Sequence, residues 1–570
     1  MRILLLMLLL VAGCGTARLS GTDTSKRKQA LEQVAAFRHL GFQVVTARLK
    51  LGVDTALAFR QLDTLLSAPT GDIFWMYPAA GMYFNCRQEM GESWRRRFRE
   101  AFKRYTPYRG DTENHFLMYY ATLYLFSQEW PDLDGSEWFN GKSSREIHAE
   151  AKEYLERWID ETARVGMTEW DSPRYLYYYI TPLILLHDFA SDPMMSRRAE
   201  MELELQLADY ATEYINGSYG GAHSRDGDGS VIDPRRAEAT TFGQFYFEDS
   251  LSFVLPDLAY AALSPFTVPA VIRAIAHDRD RAWVQTETKR SRARIRFTDD
   301  GTRYNLVRKY DYITPAYILG SIQGGLQQPI QQHSWGITFG SSRPNNTLFG
   351  LHPQSSALEL GMFFPEEPEL MEEGVVKSKG SYGSPDKWIG GSPFESLVQD
   401  EAALVARYDI PDGWSSPHVD LYLPKTLDTI VRNANTWIIC RMEDALVGIR
   451  PLSPPEWIEE KGNWRIRLRG RETGYAIETA TTHEISFEAF VSALGQLPPP
   501  RLFPGTVVYR SRAGREIRVT ALSGEKSLTA ATDEMLFDGR HIKSRRGSGI
   551  IELNALGQIR TLDFDKLETR

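Results

Sequence analysis

The stretch SREIHAEAKEYLERWIDETA, residues 144–163, decides the fold class of the first half of the chain. Its apolar residues recur at intervals of three and four, and Glu, Lys and Arg fill most of the other positions. They are Ile147, Ala151, Tyr154, Leu155, Trp158 and Ile159. This spacing places them in one stripe along an α-helix. We predict an amphipathic helix that Ser143 or Ser144 caps at its start.

Helical patterns continue on both sides of this stretch. Residues 25–49 repeat apolar side chains with a period near 3.6, and residues 173–189 and 196–215 predict two helices joined by the turn Asp192-Pro193. Paired helices with short polar connections favour an array of α/α hairpins over residues 25–282. We predict that the array closes into a toroid, because no fixed sequence period indicates a solenoid.

The pattern changes near Trp283. Residues 286–297 alternate apolar and polar side chains, Asp299-Asp300-Gly301 supplies a hairpin turn, and residues 304–312 continue the alternation. Similar short segments follow at residues 436–441, 464–468, 517–522 and 549–553. We predict a C-terminal antiparallel β-sandwich over residues 283–570, which makes the chain an α+β multidomain protein.

The first residues predict export. Met1-Arg2 precedes an apolar run that ends at Ala12-Gly13-Cys14, the layout of a secretory signal. Residues 11–14 also resemble the bacterial lipobox, which implies lipidation of Cys14; an ordinary signal peptide is the alternative. We predict a signal peptide over residues 1–14, a tether over residues 15–24, and an anchored protein of the outer membrane or periplasm.

Composition limits the function classes. A net charge of −8 argues against a protein that coats nucleic acid. The 13 Trp and 26 Tyr residues suit either sugar stacking or the core of a large helical domain. Cys86 and Cys440 have no metal-ligand spacing, and we favour two buried thiols over a disulfide.

Two polar clusters open predicted helices in the first half. Thr112-Glu113-Asn114-His115 precedes an aromatic helix, where it forms either a cap or an anion site that uses the helix dipole. Asp171-Ser172-Pro173-Arg174-Tyr175 opens the helix that contains Tyr179. Most tyrosines there belong to the core, and Tyr175 or Tyr179 is the candidate for pointing into a cleft.

Two further clusters lie beyond these helices. Gly220-Gly221-Ala222-His223-Ser224-Arg225 is a glycine-led loop, which holds His223 and Arg225 as binding candidates or is simply solvated. Residues 327–335 form a polar string on a predicted strand, which is either an exposed edge or a sugar-facing surface. Its candidates are Gln332, His333 and Trp335, and the preceding strand adds Tyr310 and Tyr312.

These features together resemble the heparinase II/III-like and alginate-lyase-like polysaccharide lyases. The likeness consists of the domain order, the adjacent pair Asn114-His115, Tyr175 on a later helix, and His333 from the β half. The resemblance implies a toroid with a β-sandwich and an anionic polysaccharide substrate. It implies no required metal or cofactor, although a structural divalent ion is compatible with it. Residues 226–229 only loosely match a calcium loop.

The resemblance also implies a mechanism, the β-elimination of a uronic acid. Asn114, His115 and Arg225 would offset the carboxylate charge, and Tyr175 would act as acid and base, with His223 as the second choice. The implied substrate-binding residues are Glu113, Tyr179, Arg225, Tyr310, Tyr312, Gln332, His333 and Trp335.

Two other functions fit the sequence. A glycoside hydrolase on the same helical scaffold would need two carboxylates across the scissile bond. The candidates are Glu89, Glu92, Glu113, Asp171, Glu248 and Asp249. A non-catalytic glycan-binding surface lipoprotein would instead expose Trp and Tyr platforms without a convergent polar pocket.

Overall fold

The structure is a computed structural model that describes most of the chain beyond the N-terminus. The described residues are 21–69, 72–105, 110, 112–290, 306–324, 331–353, 386–392, 394–414, 416–432, 437–460, 462–520 and 533–570. The predicted signal peptide, the lipidation site Cys14 and the turn Asp299-Asp300-Gly301 lie outside these residues.

The first half is helical. Its helices are α1 (Gly21–Ala35), α2 (Phe42–Leu51), α3 (Thr55–Ser67), α4 (Ile73–Asn85), α5 (Glu92–Arg104), α6 (Glu113–Glu129), α7 (Ser144–Val165), α8 (Tyr177–Phe189), α9 (Pro193–Thr212), α10 (Asp228–Ile232), α11 (Glu238–Phe247), α12 (Leu258–Leu263) and α13 (Ala270–His277). Helix α1 packs against α12, so the array closes on itself. Arg27 of α1 donates to the Ala261 and Phe266 carbonyls at 3.0 and 2.7 Å across this closure.

A local capping motif defines the start of α7, whereas the predicted bounds of two other helices are revised. Ser143 caps α7 and forms a capping box with Glu146, as the sequence predicts. The predicted helix over residues 25–49 is instead two helices, because the chain reverses after Ala35 and resumes at Gly41 with extended backbone. Both pieces bury apolar faces, so periodicity alone does not reveal the reversal.

The helix predicted from residue 173 begins only at Tyr177. Asp171 has a left-handed backbone with φ of 46°, and the Ser172 hydroxyl accepts a hydrogen bond from the Tyr175 amide at 2.9 Å. The segment between Asp171 and α8 is therefore a tight turn. This turn holds Tyr175 ahead of the helix instead of within its packed face.

The second half consists of antiparallel strands. They are β3 (Trp283–Arg290), β4 (Leu306–Ile313), β5 (Tyr317–Gly324), β6 (Trp335–Phe339), β7 (Thr347–Leu351), β8 (Glu395–Asp400), β9 (Ala403–Asp409), β10 (His418–Pro424), β11 (Thr429–Arg432), β12 (Ile438–Met442), β13 (Ala445–Pro451), β14 (Pro455–Glu459), β15 (Asn463–Arg469), β16 (Glu472–Thr481), β17 (Arg501–Phe503), β18 (Thr506–Arg510), β19 (Glu516–Thr520), β20 (Met535–Asp538), β21 (Ile542–Arg545), β22 (Ile550–Ala555), β23 (Gln558–Asp563) and β24 (Glu568–Thr569). The short hairpin β1 (Tyr214–Ile215) and β2 (Ser218–Tyr219) lies in the helical half, and helix α14 (Phe487–Gln496) lies among the later strands.

The strands form stacked layers beside the helices. A long sheet has the order β14-β15-β10-β7-β6-β5-β4-β3-β20-β21-β22-β23-β24, and a second has the order β11-β12-β13-β16-β9-β8. A core that includes Leu319, Trp335 and Ile477 joins the two sheets. Val307 and Leu536 on the opposite face of the long sheet pack with the helices. The predicted order of a helical half followed by antiparallel β-sheets is confirmed.

Cys86 and Cys440 are both free and buried. Among the helices that the structure describes, none has the length and hydropathy needed to cross a bilayer.

Candidate functional site

Tyr175 is half-buried at the place where the helical half meets the long sheet. Its hydroxyl oxygen accepts hydrogen bonds from Nη2 of Arg225 at 3.0 Å and from the side-chain amide of Gln331 at 3.2 Å. The Arg225 guanidinium carbon also lies 4.0 Å from the centre of the tyrosine ring. Two donors, one of them cationic, therefore converge on the phenolic oxygen, which is the arrangement that stabilises a negative charge there.

Contacts with Glu169 and Gln331 fix the position of the Arg225 guanidinium. Its Nη1 forms an ion pair with Glu169, and its Nε donates to the side-chain oxygen Oε1 of Gln331 at 2.7 Å. Burial opposes the charge on Glu169, but Arg225 and several hydrogen bonds outweigh burial and lower the pKa of Glu169 to about 2. Glu169 is thus ionised and fixes the guanidinium beside Tyr175.

The first predicted cluster supports Glu169. The Asn114 side-chain amide donates to Glu169 and, at 3.0 Å, to Thr112, and the Tyr179 hydroxyl donates to Glu169 at 2.8 Å. Both Asn114 and Tyr179 are fully buried. The structure therefore places these two residues behind the site and brings neither to a cleft.

Glu113 is also buried. Its carboxylate accepts hydrogen bonds from the Thr168 amide and hydroxyl, both at 2.7 Å, and from the Trp158 indole at 3.0 Å. The structure uses Glu113 to join α6, α7 and the following turn. This position gives it no access to a substrate.

Asp171 anchors the turn that carries Tyr175. Its carboxylate accepts hydrogen bonds from Lys289 of β3 at 3.2 Å and Lys309 of β4 at 2.9 Å. Burial acts to raise the pKa of Asp171, but the two ammonium groups outweigh it and hold that pKa below its ordinary value. The long sheet thereby fixes the turn through two fully buried cations.

His223 and His333 meet in the interior next to this turn. Their backbones form a two-way bridge, each amide donating to the other carbonyl at 2.9 Å, and their ring centres lie 5.6 Å apart. Burial, together with the neighbouring His333, lowers the pKa of His223 to about 3, although Asp226 acts in the opposite direction. The His223 ring is therefore neutral, and 3% exposure keeps it away from solvent.

Two clefts are lined by neighbours of Tyr175. One, of about 490 Å³, is lined by His39, Phe74, Tyr178 and neighbouring residues. The rings of Phe74 and Tyr178 lie 5.3 Å apart, and the Tyr178 ring lies 6.3 Å from that of Tyr175. His115 continues this aromatic wall, with its ring 5.6 Å from Phe74.

The other cleft has a volume of about 620 Å³. Arg174, Ser230, Arg236 and Glu238 are among its lining residues. The Arg174 guanidinium carbon lies 5.6 Å from the centre of the Tyr175 ring, and 44% of its side chain is exposed. Tyr175 thus has as neighbours Tyr178, which lines the aromatic cleft, and Arg174, which lines the charged cleft.

Four predicted residues of the β half lie elsewhere. On β4, Lys309 and Asp311 face the helices, so Tyr310 and Tyr312 face the second sheet. The Tyr310 hydroxyl accepts a hydrogen bond from the Glu401 amide at 3.0 Å, and Tyr312 packs on the core between the sheets.

Trp335 lies in that same core and donates to the Tyr475 hydroxyl at 2.7 Å. Gln332 is buried and bonds to Ser334 at 2.9 Å. The structure brings neither Trp335 nor Gln332 to Tyr175.

Four of the carboxylates considered for a hydrolase are engaged in other contacts. Glu113 and Asp171 are buried in the contacts described above, and Glu89 pairs with Lys50 at 2.9 Å. Asp249 pairs with Arg273 at 3.0 Å, and 87% of its side chain is exposed.

Sequence reasoning missed Glu169, Gln331 and Phe74 as members of the site. Gln331 lies within the polar string at residues 327–335, from which only Gln332, His333 and Trp335 were singled out. Phe74 differs from the other aromatic residues of α4, which are buried, because 44% of it is exposed. No sequence signal separates it from the other aromatic residues of α4.

Comparisons with known proteins give only a distant likeness. No protein-family model and no curated protein matches the chain. Chondroitin AC lyase from Streptomyces coelicolor A3, in complex with chondroitin sulphate, matches 97% of this chain and 90% of its own length at 9% identity and a TM-score of 0.44. A mutant of the same lyase matches 96% of this chain and 77% of its own at 10% identity and a TM-score of 0.25.

Proposed function

We propose that the protein is a polysaccharide lyase that cleaves a uronic-acid-containing chain by β-elimination. The observation that carries this proposal is the Tyr175 hydroxyl, which accepts hydrogen bonds from Arg225 and Gln331 and whose ring has a lining residue of each of two clefts as a neighbour. A polysaccharide that occupied both clefts would have sugars on both sides of the reacting bond. Tyr175 is then the acid and base.

In the reaction, the Tyr175 oxygen removes the proton from C5 of the uronate. The electrons of that bond form a double bond between C4 and C5, and the C4–oxygen bond breaks. The phenol then gives its proton to the leaving oxygen, so that no water is consumed. Arg225 stabilises the phenolate form of Tyr175 during this cycle.

The uronate carboxylate needs a compensating charge before C5 becomes acidic. Arg225 is already engaged with Glu169, so we assign the carboxylate to Arg174, which is partly exposed beside the Tyr175 ring, and to His115, which is partly exposed next to Phe74. Asn114 acts one step further back, because its amide donates to Glu169. It is a positioning residue in this proposal.

The aromatic cleft supplies the sugar platform. Phe74 is 44% exposed and stands at right angles to the His115 ring. Stacking on such a face is selective for the apolar side of a sugar ring and leaves its hydroxyls free. The charged cleft would hold the neighbouring sugar acid.

The test is turnover of defined polymers by the protein lacking residues 1–14. We expect one of alginate, glucuronan, heparan sulfate and chondroitin to yield an unsaturated uronate, detected by its ultraviolet absorption. Tyr175→Phe should lose this activity, whereas Tyr509→Phe should keep it. Tyr509 is a matched control because it lies in the distant strand β18, where its hydroxyl donates to Glu478 at 2.8 Å.

Two results would contradict the proposal. New reducing ends without ultraviolet absorption would indicate hydrolysis, and binding of the polymers without turnover would indicate a glycan-binding protein. Full activity in Tyr175→Phe would contradict the site assignment, whatever the reaction.

We further propose that the protein is exported and anchored by a lipid at Cys14, in the outer membrane or periplasm. The lipobox-like residues Val11-Ala12-Gly13-Cys14 support this. Labelling of bacteria with a radioactive fatty acid should mark the full-length protein and should fail to mark Cys14→Ser. Equal labelling of both would contradict the anchor.

A further inference from the structure

Three buried side chains converge where the loop after β2 meets the residues before β6. They are His223, Asp226 and His333, and one ligand atom from each lies within 4.8 Å of the others. Their exposures are 3%, 1% and 6%. Two of the three residues come from the helical half, and the third comes from the β half.

We propose that His223, Asp226 and His333 bind a divalent transition-metal ion, with Zn²⁺ as the ion that their chemistry fits. Imidazole nitrogens combined with one carboxylate are ligands that suit zinc and its neighbours, whereas calcium and magnesium prefer oxygen alone. Three protein ligands leave a fourth position for water or another group.

Three polar atoms of this cluster lack hydrogen-bond partners. Both ring nitrogens of His333 and Oδ2 of Asp226 are buried without one. The closest approach between them is 3.8 Å, from Nδ1 of His333 to Oδ2 of Asp226. Ligands at about 2.0–2.2 Å from a tetrahedral zinc ion stand about 3.3–3.6 Å apart, so a shift of a few tenths of an ångström brings these two atoms to that separation. Buried polar groups cost free energy unless something satisfies them, and a metal ion at this point would satisfy Oδ2 of Asp226 and one ring nitrogen of His333.

A neighbouring cluster in the same protein is instead neutralised by side-chain cations. Asp171, Glu213 and Glu287 also lie within 4.8 Å of one another. There, however, Lys289 lies 3.2 Å from Asp171 and 2.9 Å from Glu287, and Lys309 pairs with Glu213. Ammonium groups occupy that cluster. The structure places no comparable side-chain cation between His333 and Asp226 among the ion pairs of the residues it describes.

Hydrogen bonds from outside orient two of the proposed ligands. Nδ1 of His223 lies 2.6 Å from the Asp171 carbonyl, which makes that nitrogen the donor and leaves Nε2 for the ion. Oδ1 of Asp226 accepts from the Gly227 amide at 2.7 Å and from the Ser230 hydroxyl. Oδ2 of Asp226 remains available for coordination.

A metal ion here would join the helical half to the β half next to the residues that contact Tyr175. The Asp226 amide donates to the Gln331 carbonyl at 2.8 Å, and Arg225 and Gln331 are the chain neighbours of ligand residues or lie within two positions of them. The two residues that donate to the Tyr175 hydroxyl therefore belong to the segments that carry the proposed metal ligands. The ion itself takes no part in the proposed elimination, and its presence does not depend on that proposal.

The experiment measures metal binding directly. Protein treated with EDTA and freed of the chelator is titrated with ZnCl2 in a calorimeter, and CaCl2 serves as the second titrant. We expect saturable binding of one Zn²⁺ per chain, little binding of Ca²⁺, and a higher melting temperature with zinc. CoCl2 should give the visible absorption of a four- or five-coordinate site.

Variants locate the ion. His333→Gln and Asp226→Asn should each weaken zinc binding by at least about 100-fold and abolish the cobalt spectrum. His352→Gln is the matched control, because the ring nitrogens of buried His352 already contact the Ser416 carbonyl at 2.9 Å and the Ser392 hydroxyl at 3.1 Å. Circular dichroism in EDTA checks that each variant folds like the metal-free parent protein.

Three results would overturn the inference: no saturable binding of Zn²⁺, preferential binding of Ca²⁺, or zinc binding that His333→Gln and Asp226→Asn leave unchanged. A protein that binds zinc at these residues but cleaves none of the four polymers would contradict only the lyase proposal. The two proposals therefore fail separately.

Discussion

Arg225 contacts Tyr175 in two ways at once, with Nη2 3.0 Å from the hydroxyl and the guanidinium carbon 4.0 Å from the ring centre. Glu169 on the opposite side of the guanidinium keeps it in this position. The planar fork of arginine makes such simultaneous contacts possible, and a lysine cannot reproduce them.

Arg225→Lys should reduce kcat by about 100- to 1000-fold with a smaller change in KM, because the stabilisation of the Tyr175 phenolate is made during the reaction. Initial rates over a range of substrate concentrations separate the two constants. Arg560→Lys is the control, since Arg560 also forms a forked pair, with Glu204 at 2.5 and 2.7 Å. An equal loss in both variants would show that Arg225 acts through stability alone.

Glu169→Gln should lower the free energy of unfolding by about 3–5 kcal/mol at neutral pH, because it leaves the buried Arg225 without its counter-charge. The pKa of Glu169 is lowered to about 2 in the folded protein, so its stabilising effect is present above about pH 4.5 and is lost as the pH falls toward 2. Urea unfolding at several pH values measures both effects.

The exposed pair of Glu456 and Arg469 provides the control for that experiment. Glu456→Gln should change stability by less than about 1 kcal/mol. A difference between Glu169→Gln and the parent protein that stays constant from neutral to strongly acidic pH would contradict the assignment of a charged Glu169.

Asp311 should make the protein less stable as the pH rises from about 4 to about 7. Burial raises the pKa of Asp311 to about 7, against the attraction of Lys309, so the folded state holds a proton that the unfolded state releases near pH 4. The slope from this group is up to about 1.4 kcal/mol per pH unit. Asp311→Asn stays neutral, and its stability should lack this component.

Urea unfolding of the parent protein and Asp311→Asn across that pH range measures the difference. The stability of Asp311→Asn relative to the parent should rise with pH and level off above about pH 7. Parallel curves for the two proteins would show that the folded state does not protonate Asp311.

Phe74→Ala should raise KM by about 2- to 10-fold and leave kcat nearly unchanged, because a stacking platform binds the substrate and the transition state alike. Phe503→Ala removes a ring of similar exposure, 48%, from β17 and should change neither constant. A fall in kcat without a change in KM would place Phe74 in the chemistry instead of in binding.

The sequence predicted the elements whose cause is local. The Ser143–Glu146 capping box and the apolar stripe of α7 lie within one segment, so the helix could be predicted almost to its ends. Alternation likewise predicted β15 and β22. The reversal between α1 and α2 was not predicted, because it depends on what each helix packs against.

The site was predicted only in part for the same reason. Tyr175 and Arg225 were singled out as polar residues next to structured segments, and the structure brings them into contact. Tyr310 and Trp335 were also singled out from the sequence, but they face the second sheet. Only the pairing of strands decides which face of a sheet is buried. Glu169 stands 56 residues from its partner Arg225, and no local pattern connects them.

The most direct test of the account follows the oxygen atoms of the products. Digestion of the susceptible polymer in water enriched in heavy oxygen, with mass spectrometry of the products before exchange at the new reducing end, distinguishes elimination from hydrolysis. If Tyr175 removes the C5 proton, every cleavage yields an unsaturated fragment, no heavy oxygen enters either product, and Tyr175→Phe yields neither. Incorporation of one heavy oxygen at each cleavage would contradict the account.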